Sequence, residues 1–350
     1  MAGYRARLEA DLDRWIADGL VPAESRAAIL DRASTGRRLD AGAALAVIGA
    51  LLAGVAVVAF IAANWGAIPR LGRFAMIQTA FLGVVAAAAW TGWRGQLMAR
   101  NTLLAVAALV YAAAIGLTGQ IFDVVGDPQA ALRGAGVAAA VLALAGRSSG
   151  AAALSLLFVA LGDKAGDASL GPPVLREWLA WFAAPAGALA IAWRSKPLAH
   201  AAALALIVAA FTLKAERSEA VFLAASVGFA LLAAVARWFA RNDDTAAPVF
   251  YGWFVVGAVG YFALAGIDPG FIRGVIHRVA WLAVGAGAVA LGRSDRHAVI
   301  TAAGVLSLLG AICTILFDLG LSLMAAAGVF GVAAVVALGA GLALRLRGRA

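Results

Sequence analysis

Three polar side chains at regular spacing are the first candidates for chemistry in this sequence. Gln120, Asp123 and Asp127 stand at i, i+3 and i+7, so a helix that continued through them would align them on one face. They follow a long apolar run, and polar groups at the ends of such runs are costly and often functional. The pattern predicts a polar binding face and no catalytic residue.

A second polar group closes an earlier apolar run. Arg70 and Arg73 are three residues apart there. Two alternatives are open, because the arginines are either solvated at a boundary or paired with Asp123 or Asp127, with an amide completing the hydrogen bonds. The residues predicted to form one binding site are Asn64, Trp65, Arg70, Arg73, Gln120, Asp123 and Asp127.

Motifs typical of enzymes are weak or missing. "GRSSG" at residues 146–150 matches the G-x-S-x-G nucleophile elbow, but that elbow needs a preceding strand and acid and histidine partners. Apolar helical runs flank it here, so we predict a polar turn. Three dispersed histidines and the single Cys313 form no metal-ligand spacing. We expect a protein that is not an enzyme and that uses no cofactor or metal.

The composition indicates which solvent surrounds the elements that must position these residues. The chain is 64% hydrophobic and 13% charged, whereas soluble domains are nearer half apolar and a quarter charged. The lipid bilayer is therefore the expected partner. The net charge of +9 comes from arginines at the ends of apolar runs, which indicates membrane topology rather than nucleic-acid binding.

Apolar runs alternate with short polar breaks beyond residue 41. We predict an all-α polytopic transmembrane helix bundle with about twelve spans. The alternative is ten spans plus a re-entrant pair, because the runs at 129–145 and 150–162 are shorter than the ~20 residues a crossing helix needs. The predicted units are a cytoplasmic helical hairpin at 1–40 and membrane units of about four helices each at 41–145, 146–245 and 246–350.

Positive charge predicts the orientation. With the N-terminus inside, 19 of the 28 Lys and Arg residues fall inside and 9 outside. We therefore predict a bacterial inner-membrane protein with both termini cytoplasmic. Residues 1–40, Arg147 and Arg345 face the cytoplasm in this arrangement, and the periplasmic side receives Pro69, Pro173 and Pro269.

The segment 1–40 combines one apolar helical face with balanced charge. Leu8, Leu12, Trp15 and Ile16 share a face, and acidic and basic residues are equal in number. Two interpretations are open: the hairpin packs on itself or on the membrane domain, or it docks a cytoplasmic protein partner.

Three stretches resemble one family. "RWIADGLVPAESRAAIL" from Arg14, "IGALLAGVAVVAFIAANWGAIPRLGR" from Ile48 and "GQIFDVVGD" from Gly119 are similar to the bacterial membrane proteins of domain of unknown function family 2157. The resemblance covers roughly residues 8–145. Family members often carry a tyrosine where this chain has Phe122, which weakens any transfer of a role to that position. The resemblance implies an integral membrane protein without an established activity.

Three classes of function remain, and an intramembrane enzyme is by far the least favoured of them. Many spans, a possible internal repeat and polar groups at span ends favour a transporter or a lipid-handling protein. The alternative is a non-transporting scaffold or sensor whose residues 1–40 bind a cytoplasmic partner. Few charges lie within the spans, which weakens an ion-coupled mechanism. The sequence indicates no substrate.

Overall fold

The computed structural model describes residues 2–34, 63, 65–165, 177–212, 219–241, 245–266 and 271–320, with positions 324, 327, 328 and 331. The regular elements in these ranges are helices. The chain divides into two compact units, Met1–Pro69 and Arg70–Ala350. The three-part division predicted for the membrane region stays a prediction.

The first unit begins with the expected helical hairpin. Helix α1 (Ala2–Ala17) and helix α2 (Ser25–Ser34) are separated by a turn at Gly19, whose φ of +72° is the left-handed conformation that favours glycine. Asp13 accepts a hydrogen bond from Arg26 Nε at 2.8 Å, which ties the two helices together. Leu12 is fully buried. Trp65–Ala67 forms a short 3-10 turn in the same unit.

The second unit is a series of helices whose apolar runs match the predicted spans in order. They are α3 (Arg70–Trp93), α4 (Leu97–Phe122), α5 (Pro128–Gly146), α6 (Ser149–Ala165), α7 (Leu179–Ala192), α8 (Lys196–Thr212), α9 (Glu219–Ala240), α10 (Ala246–Leu264), α11 (Phe271–Ser294) and α12 (Ala298–Asp318).

These helices pack as consecutive antiparallel hairpins: α3 with α4, α5 with α6, α7 with α8, α9 with α10, and α11 with α12. The turns within the hairpins lie at one end of the unit, which we call the turn end. The opposite end carries residues 123–127 and is called the connection end. Within each hairpin the two helices pack against each other, and several hairpins also pack against neighbouring ones.

Arginine recurs at the turns. Arg147, Arg194 and Arg296 adopt φ values of 51°, 50° and 53°, the left-handed conformation in which a helix ends. The following residue donates its backbone N–H to the carbonyl five residues back, as when Ser148 bonds to Ala143 O and Ser195 to Ala190 O. This repeated turn gives three of the five described hairpins a common sequence signature of an arginine followed by a polar residue.

The motif "GRSSG" forms one of these turns, as predicted. A helix precedes it. Ser148 Oγ donates a hydrogen bond to Asn101 Oδ1 at 2.8 Å, and Ser148 Oγ also accepts a hydrogen bond from the N–H of Ala151 at 3.2 Å. The serine therefore caps α6 and fastens the turn to α4.

The core lies among α6 to α10 and consists mainly of small side chains. Ala199, Ala202 and Ala203 of α8 are fully buried, and α10 is the most enclosed of the long helices. Close approach also requires glycine between α11 and α12. A Cβ added to Gly304 would meet the backbone nitrogen of Val289 at 2.6 Å. Small residues let membrane helices approach at backbone distance.

Seven described helices are long and apolar enough to cross a membrane, namely α3, α4, α5, α9, α10, α11 and α12. The described part of the chain is thus all-helical, and its apolar helices are those of a multi-pass membrane protein. The predicted number of about twelve spans is not confirmed. Two of the apolar runs counted among the twelve, at 42–63 and 321–343, lie almost wholly outside the described residues. Helices α7 and α8 are shorter apolar helices of 14 and 17 residues. A helix of 14 residues spans only about 21 Å.

Candidate ligand site at the connection end

The residues joining α4 to α5 shape this site. Asp123 ends α4 in the left-handed conformation, with a φ of 53°, and the N–H of Val124 bonds to Gly119 O. Asp127 then begins α5, because Oδ1 accepts from the N–H of Gln129 at 2.9 Å and Oδ2 from that of Ala130 at 3.2 Å. An aspartate N-cap followed by proline is a strong helix start.

This turn corrects one expectation about the site. The helix does not continue through residues 120–127, so Gln120, Asp123 and Asp127 do not share a helical face. The reason is local, since Asp123 takes the left-handed conformation and Asp127-Pro128 starts a new helix. The three side chains nevertheless line one cavity.

The pairing of the first arginine is confirmed. Arg70 Nη2 donates to Asp123 Oδ2 at 2.6 Å and joins the start of α3 to the end of α4. The rings of Phe74 and Phe122 meet edge to face beneath the pair, with centroids 5.8 Å apart. The side chains of Arg70 and Asp123 are 63% and 71% exposed. Asp127 instead caps α5.

Three other predicted site residues lie elsewhere in the chain. Arg73 is partly buried on α3, and Trp65 belongs to the first unit. Asn64 lies outside the described residues. Whether the seven predicted residues bind a ligand stays a prediction.

A cavity of about 800 Å³ opens beside Asp123, the partner of Arg70. Its apolar wall includes Ile115, Phe122, Val124 and Val125, and Val125 is fully exposed. Among the described residues, no hydrogen bond engages the amide of Gln120, which also lines the cavity. The cavity therefore places an amide beside two carboxylates, with apolar surface next to them.

A buried ion pair near this end was not predicted from the sequence. Arg133 of α5 donates from Nε (3.0 Å) and Nη2 (2.6 Å) to Asp163 Oδ1 of α6, and Asp163 Oδ2 accepts from the N–H of Leu179 at 2.8 Å. The Arg133 guanidinium also lies 4.9 Å from the centre of the Trp178 ring. The side chains of Arg133 and Asp163 are only 13% and 2% exposed. This pair joins α5, α6 and the start of α7.

Two further ion pairs involve the helices of the second unit. Arg278 of α11 is buried and donates to Asp318 Oδ2 and Gly266 O, both at 2.9 Å. At the turn end, Arg237 donates to both oxygens of Asp295 at 2.7 and 2.8 Å, and the Tyr251 hydroxyl donates to the same carboxylate. The hydrogen bonds from Arg237 hold the pKa of Asp295 well below its ordinary value.

A sequence signal for such pairs exists within a hairpin. Arg133 and Asp163 lie nearly the same number of residues from the Arg147-Ser148 turn, on opposite sides of it. Residues equally distant from an antiparallel turn lie at the same depth, so opposite charges at such positions indicate a pair.

Comparison with known proteins agrees with this membrane architecture. Residues 13–152 match the family described as "Predicted membrane protein (DUF2157)". No curated protein and no solved structure matches the chain. The matched residues include the Arg70–Asp123 pair and the α4–α5 connection. The resemblance to domain of unknown function family 2157 is thereby confirmed, and it extends over residues 13–152.

Proposed function

We propose that this multi-pass membrane protein handles zwitterionic phospholipid at its connection end. The observation that carries the proposal is the cavity of about 800 Å³ lined by Asp123, whose exposed side chain is paired with Arg70. Its volume falls in the range of about 300–1,000 Å³ that is typical of small-ligand sites.

The polar part of the site suits a headgroup that carries a negatively charged phosphate and a positively charged ammonium group. Arg70 offers guanidinium donors to a phosphate, and Asp123 offers a carboxylate to an ammonium group. Both side chains are mostly exposed, so each retains donor or acceptor capacity beyond their single mutual hydrogen bond. The Gln120 amide adds a neutral donor and acceptor at the cavity wall.

The apolar part of the site suits an acyl chain. Val124 and Val125 present exposed apolar surface at the end of a spanning helix, where water and hydrocarbon meet. Such surface costs free energy in water and gains it against hydrocarbon. An amphipathic molecule contacts both the polar and the apolar part of the cavity, whereas a small polar solute leaves Val124 and Val125 exposed to water.

Photolabelling in nanodiscs tests the proposal. A photoactivatable phosphatidylethanolamine analogue should label the α4–α5 connection of the purified full chain. The variant Gln120→Leu removes the hydrogen bond that we propose between this amide and the headgroup. It should lower labelling about five-fold, the equivalent of ~1 kcal/mol. Gln78→Leu makes the same change on α3, outside the residues that line this cavity, and is the matched control. Equal labelling of the two variants would remove the proposal.

The orientation belongs to the same proposal. The turns carry Arg94, Arg147, Arg194 and Arg296, which supports a cytoplasmic turn end and a periplasmic connection end in the inner membrane. In a Cys313→Ser background, an impermeant thiol reagent should label Val125→Cys and spare Gln96→Cys in intact cells. The opposite pattern would reverse the orientation.

A second candidate function is a scaffold or sensor that binds a cytoplasmic partner through α1 and α2. Trp15 and Leu20 support it, because both remain exposed on a hairpin that the Asp13–Arg26 bond already closes. Deletion of residues 2–34 should then abolish partner capture while leaving phosphatidylethanolamine labelling intact. Loss of labelling with that deletion would instead tie the hairpin to the membrane fold.

A further inference from the structure

The turn between α3 and α4 combines positive charge with exposed apolar surface. Trp93 and Met98, on either side of this turn, are 91% and 86% exposed. The guanidinium of Arg94 lies 4.1 Å from the centre of the Trp90 ring, close enough for a cation–π contact. Arg100 follows in the first turn of α4. The turn therefore presents cations and apolar side chains together at the end of two spanning helices.

Arg100 packs closely against α3. Its side chain crosses that helix at Gly92, where an added Cβ would lie 2.7 Å from Arg100 Cδ. Nε of Arg100 is buried and makes no hydrogen bond with the described residues, although the residue as a whole is only partly buried. A guanidinium has only N–H donors and stays charged, so the acceptor that suits it best is an anionic oxygen.

The neighbouring turn adds a third arginine. Asn101 Oδ1 accepts hydrogen bonds from the Ser148 hydroxyl at 2.8 Å and from the N–H of Gly150 at 3.2 Å, which fastens the α5–α6 turn to α4 next to Arg100. Arg147 precedes Ser148 in this turn and is exposed. We call the surface formed by these two adjacent turns the basic–apolar patch. It consists of Trp90, Trp93, Arg94, Met98, Arg100 and Arg147.

Acidic side chains are missing from the sequence around this patch. No Asp or Glu occurs between residues 41 and 122 or between residues 128 and 162. The acids that follow these stretches, Asp123, Asp127 and Asp163, lie toward the connection end. At the turn end, Asp295 already accepts hydrogen bonds from Arg237. The patch therefore carries positive charge that no carboxylate at the turn end of α3 to α6 offsets.

We infer that the basic–apolar patch binds an anionic phospholipid, with the phosphate on the arginines and the upper acyl region against Trp93 and Met98. Charge complementarity carries the inference, because guanidinium groups without a neighbouring carboxylate favour a headgroup whose net charge is negative. The exposed indole lies where a spanning helix ends, and tryptophan is typical of the level at which an amphipathic ligand passes from water to hydrocarbon.

This site is separate from the phospholipid site proposed above. It lies at the opposite end of the helices, and it offers no carboxylate to an ammonium group. It should therefore prefer phosphatidylglycerol to phosphatidylethanolamine.

Native mass spectrometry of the full-length protein tests the inference. The protein is extracted from nanodiscs that contain equal amounts of phosphatidylglycerol and phosphatidylethanolamine, and the lipid that stays bound is measured. Arg94→Gln and Arg100→Gln should each lower phosphatidylglycerol retention about five- to ten-fold, as expected for the loss of a charge-assisted hydrogen bond. Arg94 is exposed, so Arg94→Gln is the variant that should fold like the parent. Phosphatidylethanolamine retention, which reports on the connection end, should not change.

Arg296→Gln is the matched control, since it removes the same charge from an exposed turn-end arginine outside the patch. Loss of phosphatidylglycerol in the patch variants with parental retention in the control supports the inference. An equal loss in the control would overturn it, because turn-end charge alone would then attract the lipid. Parental retention in Arg94→Gln would overturn it too. If that variant instead loses binding of a poly-glutamate probe, the patch docks an acidic polypeptide and not a lipid.

Discussion

Two arginine–aspartate pairs at the connection end use the same chemical groups for different purposes. Both include a nitrogen–oxygen distance of 2.6 Å, in Arg70–Asp123 and in Arg133–Asp163. Asp163 is buried and has both oxygens occupied, whereas Asp123 is mostly exposed and receives a single described hydrogen bond from Arg70. Distance alone therefore does not distinguish a structural pair from one that is open to a ligand.

Burial determines how much each pair contributes to stability. Exposed ion pairs contribute about 0–1 kcal/mol, because water or headgroups screen both charges and the side chains lose entropy. Removing one partner of a buried pair costs about 3–5 kcal/mol, because the remaining charge has no compensation. We therefore expect Arg133–Asp163 to hold helices together and Arg70–Asp123 to remain available for recognition.

The largest effect is expected at the buried pair. Asp163→Asn keeps an oxygen for the N–H of Leu179 but takes a buried carboxylate charge away from the Arg133 guanidinium. Its unfolding free energy in detergent should fall by about 3–5 kcal/mol. Adding Arg133→Gln should restore part of the loss. A single variant with parental stability would show that the pair does not hold the bundle.

An intermediate effect is expected where one partner is buried and the other is not. Arg278 is 10% exposed and Asp318 46%. In Asp318→Asn, Arg278 still donates to Gly266 O, so the loss should be about 1–3 kcal/mol. Thermal unfolding in the same detergent measures it. A loss as large as that of Asp163→Asn would break the relation between burial and stability.

A smaller and pH-dependent effect is expected at Asp295. Arg237 holds the pKa of this carboxyl in the folded protein below its pKa in the unfolded chain, which is about 4. The pair therefore stabilises the protein fully at pH values above the unfolded pKa. This contribution is lost as the pH falls toward the folded pKa. The difference in melting temperature between the parent and Asp295→Asn should be constant from pH 7 to 5 and shrink below about pH 4. A constant difference down to pH 3 would contradict the assignment.

The sequence predicts the membrane class and the order of helices well. Alternation of apolar runs with polar breaks reports directly which segments lie in lipid, and the turn at residues 146–150 followed from its apolar flanks. The pairing of Arg70 with Asp123 was also accessible, because both residues close apolar runs that end on the same side of the membrane.

Other features depend on information that no short segment contains. Helix α4 ends at Phe122 because Asp123 adopts the left-handed conformation. Aspartate can adopt either this conformation or the right-handed helical one, so the sequence alone does not fix the end of the helix. Arg133 and Asp163 are thirty residues apart in sequence, and only the antiparallel α5–α6 packing brings them to equal depth. A small cavity at the turn end is lined by His200 and His297, which belong to different hairpins and are therefore far apart in the sequence.

The double variant Arg70→Gln with Asp123→Asn tests the central claim most directly. It removes the exposed pair without changing the net charge. Retention of phosphatidylethanolamine by the purified protein, followed by native mass spectrometry, should fall about five- to ten-fold. The unfolding free energy should fall by less than about 1 kcal/mol. Unchanged lipid retention, or destabilisation as large as that of Asp163→Asn, would contradict the separation of a recognition pair from a structural pair.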